Sequence, residues 1–450
     1  MMKSLASAVL ALGLLGGTAI ASKPGIASSP HPVVMISIDG LGAEDLNHAQ
    51  ERGLPVDHLL AVARAGVRAE AVRNVAPTLT YPNHTTLITG VTPAQHMVLS
   101  NQRFDPEGVL LNACYWFTDD IHAPTLWDAV HNAGGKVANV YWPVAVGARA
   151  IDINFPEYWA GGQPKNWSLI AALSATRMLP GADEAARRAV LKTLIEPTMA
   201  GDQARANLAL DLFAKERPRL TTLHLVSLDE TQHREGPDTD AARAALGGID
   251  AMIGKLIEQV HAIDPETRIV IVSDHGQAPV ERQINLGILL TKAGLETLNP
   301  SSGHAARWQA AMWNGGGSAY LVLHDPAARD AAMTALKDYA NTPGSAIEKI
   351  VPMTQPIADR PDARIAAMIF FQPGFEGGNA LNGALITPSK EHGQHGGSPD
   401  NPALRSIFIA AGPGVPKGRT LDVVDMRAIA PTIAKMLNAP MPSATEHPLF

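Results

Sequence analysis

The chain has 450 residues, 46% of them hydrophobic and 18% charged, a balance that provides ample core and excludes a disordered or fibrous protein. Its net charge of -7 and pI near 6.1 give no general attraction to nucleic acid, so binding of a nucleic-acid polymer is not expected. A phosphate-bearing small molecule would need a local positive centre, and a bound metal is the simplest one.

The opening MMKSLASAVLALGLLGGTAIAS joins one lysine to an apolar run that ends in Ala19-Ile20-Ala21. This is the pattern of a secretory signal peptide over residues 1–21, so the mature protein is expected to be exported, and periplasmic if the source is a Gram-negative bacterium. The single cysteine, Cys114, leaves no disulfide framework and no lipid-modified N-terminal cysteine. No later apolar run reaches the ~18 residues that span a bilayer.

Five β-rich runs then read as buried strands: VVMISI at 33–38, VANVYW at 137–142, TLHLVSL at 222–228, RIVIVS at 268–273 and SIFIAA at 406–411. Between them lie alanine-rich amphipathic stretches such as DAARAALGGIDAMIGKLIEQVHAI, spaced as helices that cover a sheet. The alternation predicts an α/β fold with a mostly parallel sheet flanked by helices. The pattern breaks over 285–390, where Gly and Pro cluster around WNGGGSAYLVL and IAAMIFF. That stretch is expected to form a smaller inserted α+β lobe, with residues 30–284 and 391–450 as the core.

Acidic and imidazole side chains follow the strands. VVMISIDG delivers Asp39, LVSLDETQH delivers Asp229 and His233, and IVIVSDHG delivers Asp274 and His275, while EHGQHGG adds His392 and His395 ahead of the last strand. Taken singly, Asp39-Gly40 reads as a turn and Asp229/His233 as an exposed helical pair. Jointly they lie where open α/β sheets bind ligands, at the carboxyl ends of strands. Mixed carboxylate and imidazole ligation suits Zn²⁺ or a similar divalent ion better than Mg²⁺. Six such ligands exceed the need of one tetrahedral zinc, so two metals are implied, and paired metals serve displacement at phosphorus. A metal also activates a hydroxyl nucleophile. The segment VAPTLTYPNHTTLITG at 75–90 has several threonines and no serine or cysteine.

The order of Asp39, PTLTYPNHTTLITG, Asp-x-x-x-His, Ser-Asp-His-Gly and a final His-Gly resembles the nucleotide pyrophosphatase/phosphodiesterase (type I phosphodiesterase) branch of the alkaline phosphatase superfamily. The resemblance runs from about residue 32 to the end, including RAIAPTIAKMLNAPMP. It implies an alkaline phosphatase-like core and a phosphothreonine intermediate on Thr80, the threonine before the aromatic and Pro-Asn. It further implies one zinc on Asp229, His233 and His395 and a second on Asp39, Thr80, Asp274 and His275. Asn101, followed by Phe104-Asp105, would steady a phosphoryl oxygen, and Tyr81 would bind substrate by stacking on a base. His395 fits the family spacing better than His392, and His84 is expected to pack or hydrogen-bond within its helix.

The resemblance implies a small-molecule phosphodiester or nucleotide as substrate. A threonine-dependent alkaline phosphatase for monoesters would present a Lys-x-Arg pair near VANVYWPV. Here Trp142-Pro143 precede apolar residues, with Arg149 and Arg103 the nearby cations. Tyr158, Trp159 and Trp167 are candidates for a second base-stacking aromatic, and glycerophosphodiesters or lysophospholipid head groups remain open as substrates. A non-catalytic exported zinc-binding protein and a phosphonate hydrolase are further alternatives. A sulfatase is disfavoured because Cys114 sits in no modification motif.

Overall fold

In the computed structural model, the described residues are 31–110, 113–158, 167–353 and 363–450. The expected signal peptide at 1–21 and the candidate Trp159 lie outside them.

The first strand, Val33–Ile38, is buried at all six positions. It pairs in parallel with Leu220–Leu225 on one side and Arg268–Val272 on the other. Around these three the sheet grows to eight strands, in the order 419–421, 67–69, 408–411, 268–272, 33–38, 220–225, 137–140, 153–155. Only Phe408–Ala411 runs against both of its neighbours, so the sheet is mainly parallel.

Strands buried at every position require cover on both faces, and their period of two divides the side chains between the faces. Val34, Ile36, Ile38, Leu223, Ile269 and Ile271 enter one core with the helices Asp57–Ala65, Met199–Glu216 and Asp240–Ile263. Val33, Met35, Val270, Val272, Phe408 and Ala410 enter the other, with Leu126–Asn132, Ile429–Met436 and Leu87 and Ile88 of the helix Thr80–Thr89. The helix Asp240–Ile263 buries Leu246, Ile249, Ile253, Leu256 and Val260 at three- and four-residue spacing. Thr239 caps it by accepting from the Ala242 N–H.

Three expected strands end early, that at 268–273 by one residue, at Val272. Val137–Val140 stops before Tyr141, which has a positive φ of 67°. Leu220–Leu225 stops before Val226, whose ψ of -8° turns the chain into the helix Ser227–Glu235. Asp229 therefore stands in the first turn of a helix, not at a strand end.

Residues 310–315, 318–323, 364–371 and 347–352 make a separate four-stranded antiparallel sheet, in that spatial order. The helix Arg329–Ala340 contributes Ala332, Met333 and Leu336 to its core, beside Leu321, Ile369 and Phe371. The WNGGGSAY stretch forms the hairpin between its first two strands. Gly316 at the turn has φ +58°, and a Cβ there would lie 2.2 Å from the His395 carbonyl oxygen. Glycine is required both by the backbone and by this close approach. No helix among the described residues is long and apolar enough to cross a membrane.

Ile36 is fully buried at the centre of the large sheet. Ile36→Ala is expected to lower unfolding free energy by about 2–5 kcal/mol through lost contacts and a cavity. Glu258→Ala, on the exposed face of a helix, should stay within about 0.5 kcal/mol of the parent. Urea denaturation of the two variants checks the contrast.

Candidate active site

The parallel strands point their carboxyl ends at one pocket. Asp39 immediately follows Ile38, Asp274 and His275 follow Val272 after one serine, and Asp229 and His233 ride on the helix Ser227–Glu235. Gly40 allows that helix to approach. It has φ +75°, and a Cβ on it would stand 2.7 Å from Gln232 Oε1 and 3.1 Å from Asp229 Cα.

Asp39, Asp274 and His275 form one cluster whose donor atoms lie within 4.8 Å of one another, and Asp229, His275 and His395 form a second. His275 Nε2 is 3.3 Å from Asp39 Oδ1 and 3.0 Å from Asp274 Oδ2. Its ring stacks on His395 with centroids 3.6 Å apart. His233 Nε2 lies 3.4 Å from Asp229 Oδ2, and His395 Nε2 lies 3.9 Å from Asp229 Oδ1. His392 is exposed, whereas His395 is buried.

Main-chain carbonyls fix the tautomers. His233 Nδ1 donates to the Gly393 carbonyl, His395 Nδ1 to that of Thr78 and His275 Nδ1 to that of Gly276. A carbonyl only accepts, so in its neutral form each ring turns a bare Nε2 toward the carboxylates. Burial opposes charge on His275, yet the facing Asp274 and Asp39 raise its pKa to about 9 in the absence of a cation. Asp39 Oδ1 and Asp274 Oδ2 are buried without a hydrogen-bond partner. Burial and the nearby Asp274 and Asp229 push the Asp39 carboxyl well above the usual carboxylate range. Three acidic groups and three imidazoles, four of the six buried and Asp229 and His233 half-buried, form a donor set that divalent cations satisfy.

Thr80 opens the helix Thr80–Thr89, all ten residues of which are buried. Its Oγ1 sits 3.3 Å from His275 Nε2, which brings the hydroxyl to the first cluster and to a helix N-terminus that favours anions. Asn101 accepts from the Tyr81 N–H through Oδ1 at 2.8 Å, so its amide NH₂ is the end available to a ligand. Tyr81 itself is 2% exposed. His84 is also buried. Its Nδ1 donates to the Thr80 carbonyl at 2.9 Å, and Ser37 Oγ donates to its Nε2 at 2.8 Å. Burial and the neighbouring His224 push its pKa down to about 3.

Two residues near the site were not singled out from the sequence. His224 Nε2 donates to Asp39 Oδ2 at 3.0 Å and its Nδ1 to Glu157 Oε2 at 3.1 Å. Burial opposes its charge, yet the hydrogen bonds to Asp39 and Glu157 raise its pKa to about 10. The available signal was an imidazole inside the otherwise uncharged strand LTTLHL. Glu157, buried beside the proline of FPEY, carried no comparable signal.

Fold and donor set together define an α/β protein with two candidate metal-binding clusters and a threonine hydroxyl beside them. A sequence model described as type I phosphodiesterase / nucleotide pyrophosphatase matches residues 33–375, and the chain belongs to that family. It is 29% identical to an uncharacterized pyrophosphatase/phosphodiesterase of Schizosaccharomyces pombe over 252 residues, which are 55% of this chain and 45% of that one. It is 26% identical to the bovine bis(5'-adenosyl)-triphosphatase ENPP4 over 267 residues, 58% and 51% of the two chains. With human ectonucleotide pyrophosphatase/phosphodiesterase family member 1 it shares 25% over 263 residues, 54% and 23%. The matches thus span about half or less of these relatives' lengths. Murine ENPP5, solved as an inactive threonine-to-alanine variant with AMP, superposes with a TM-score of 0.63 at 20% identity, covering 93% of this chain and 96% of that one. The fold is therefore shared with the ectonucleotide pyrophosphatase/phosphodiesterases.

A ligand that binds only the folded state raises its melting temperature. Protein stripped with a chelator is expected to gain several degrees on addition of a divalent metal, and Asp229→Ala to gain less. Differential scanning fluorimetry with and without metal reads both.

Proposed function

We propose that the protein is an exported two-zinc phosphodiesterase of the nucleotide pyrophosphatase type, which cleaves phosphodiester or phosphoanhydride bonds through a phosphothreonine on Thr80. The observation that carries this reading is the buried Thr80 hydroxyl, 3.3 Å from His275 Nε2 beside Asp39 and Asp274. In the proposed assignment Asp229, His233 and His395 hold one zinc, and Asp39, Thr80, Asp274 and His275 hold the other. The imidazoles favour zinc over magnesium. Bound there, zinc supplies positive charge for the attacking and leaving oxygens and favours the ionised threonine hydroxyl.

Thr80 Oγ, its proton given up to solvent, attacks phosphorus in line, and the bond to the leaving oxygen breaks. That oxygen takes up a proton, and a phosphothreonine still esterified to the rest of the substrate forms. Asn101 offers its NH₂ to a non-bridging oxygen, and the N-terminus of the helix Thr80–Thr89 adds favourable potential. Water then attacks phosphorus, the bond to Thr80 Oγ breaks, and a phosphomonoester leaves with the hydroxyl restored. A diester substrate is supported by the state of the nearby arginines. Arg149 is exposed, and Arg103 is paired with Asp120 at 2.5 Å. Tyr158, half-buried with its ring 4.7 Å from that of Trp116, suits a nucleobase as a stacking partner.

Export rests on the leader-like residues 1–21 and on relatives whose names describe ectoenzymes. Residues 285–390 are read as a lobe inserted into a core of 30–284 and 391–450, because 310–371 contribute a sheet of their own.

Thr80→Ala is expected to lower kcat/KM by about three orders of magnitude or more while metal content stays near that of the parent. The assay compares p-nitrophenyl thymidine 5′-monophosphate with p-nitrophenyl phosphate on zinc-loaded protein. Preference for the diester supports the proposal. Preference for the monoester reassigns the protein to the phosphatases, and an active Thr80→Ala protein removes threonine from the mechanism.

A further inference from the structure

One chain of hydrogen bonds crosses the site from the proposed substrate side to a proposed metal ligand. Asn101 Oδ1 accepts from the Tyr81 N–H at 2.8 Å, and the Tyr81 hydroxyl donates to Glu157 Oε1 at 2.8 Å. The other oxygen of Glu157 accepts from His224 Nδ1 at 3.1 Å, and His224 Nε2 donates to Asp39 Oδ2 at 3.0 Å. Tyr81, Glu157, His224 and Asp39 are all at least nine-tenths buried. The His224 ring is also held from the side. His224 lies 4.3 Å from the His84 ring, which packs edge-on against Trp142 at 4.9 Å. His224 stands opposite Ser37 in the register of the two central strands, so its height above the sheet is set by the backbone.

We propose that Glu157 and His224 are positioning residues of the active site, which hold Asp39 and, through Tyr81, Asn101 in one rigid frame. Tyr81 is then a member of this frame and not a platform for a nucleobase. The inference rests on the phosphodiesterase reading of the site. Its physical basis is the geometry at each end of the chain. Asp39 has one oxygen without a hydrogen-bond partner, directed to the His275 cluster, and the other fixed by His224. A ligating carboxylate held in this way is pre-oriented, and loss of such a partner typically costs 10–100-fold in metal affinity or activity. At the other end Asn101 can aim its NH₂ only while Tyr81 holds its oxygen. The Tyr81 ring, 2% exposed with its hydroxyl engaged by Glu157, lacks the open face on which a base would stack.

The test uses the purified full chain with zinc and two diesters, p-nitrophenyl thymidine 5′-monophosphate and the base-free bis(p-nitrophenyl) phosphate. Tyr81→Phe keeps the ring and the backbone N–H but removes the hydroxyl, and Glu157→Gln keeps the shape of the bridge. Both are expected to lower kcat by about tenfold on both diesters alike, leaving the ratio of their KM values unchanged. His224→Ala is expected in addition to release zinc to a competing chelator about 10–100-fold more readily, with part of the activity restored by excess zinc. Parental kcat in Tyr81→Phe and Glu157→Gln overturns the proposal, as does a Tyr81→Leu protein whose KM rises for the thymidine ester alone. If His224→Ala does not fold, the two conservative variants decide. A wild-type protein that hydrolyses neither diester, or an active Thr80→Ala variant, defeats the underlying reading of the site instead, so the two failures are told apart.

Discussion

The structure is organised around an electrostatic demand. Asp39, Asp229 and Asp274 converge with the Nε2 atoms of His233, His275 and His395, and the three carboxyl groups repel one another until positive charge is supplied. The surrounding chain keeps these groups from satisfying themselves by collapse. Strand ends fix Asp39 and Asp274, and carbonyls of Gly393, Thr78 and Gly276 take up the Nδ1 protons. Gly40 then lets the Asp229 helix come close without a side chain between. The arrangement is pre-formed, which is what the proposed centre, binding metal and acting on phosphorus, requires.

The same demand explains a helix with an unusual composition. Thr80–Thr89 carries three further threonines, an asparagine and a histidine, and every one of them is buried. It meets the cost of burying polar groups internally. The Thr85 and Thr89 hydroxyls donate to the carbonyls one turn back, at 2.7 Å each, and Asn83 donates to the Pro77 and Leu79 carbonyls. Thr80, at the first turn, has no preceding helical carbonyl of this kind and turns instead to His275.

Much of this was legible from the residues. Apolar runs of five or six bounded by Asp-Gly or Asp-His marked the central strands, because a parallel sheet covered on both faces needs apolar side chains at every position. The apolar spacing of DAARAALGGIDAMIGKLIEQVHAI corresponds to one uninterrupted helix, Asp240–Ile263. The reading overextended TLHLVSL by three residues, since Val226 and Leu228 are apolar in strand and helix alike and only the backbone turn at Val226 separates them. The Glu157–His224 bridge was hidden for a different reason. Its members are 67 residues apart in sequence, and their pairing depends on sheet register, which no local pattern encodes. Tyr81 was read by analogy as a stacking residue, but the partner of its hydroxyl could be known only from the fold.

The hairpin at 310–323 belongs to a sheet that contributes no ligand, yet its turn presses on one. The Gly317 N–H donates to the His395 carbonyl at 2.7 Å, and Gly316 leaves no room for a side chain against the same atom. On its other side the His395 ring is tied to Thr78, two residues before Thr80. The acidic and imidazole cluster is thus not portable. A graft that transferred the large sheet and its loops, but replaced the antiparallel sheet with a short linker, would carry every aspartate and histidine of the cluster and still lack one wall of the socket in which His395 is set.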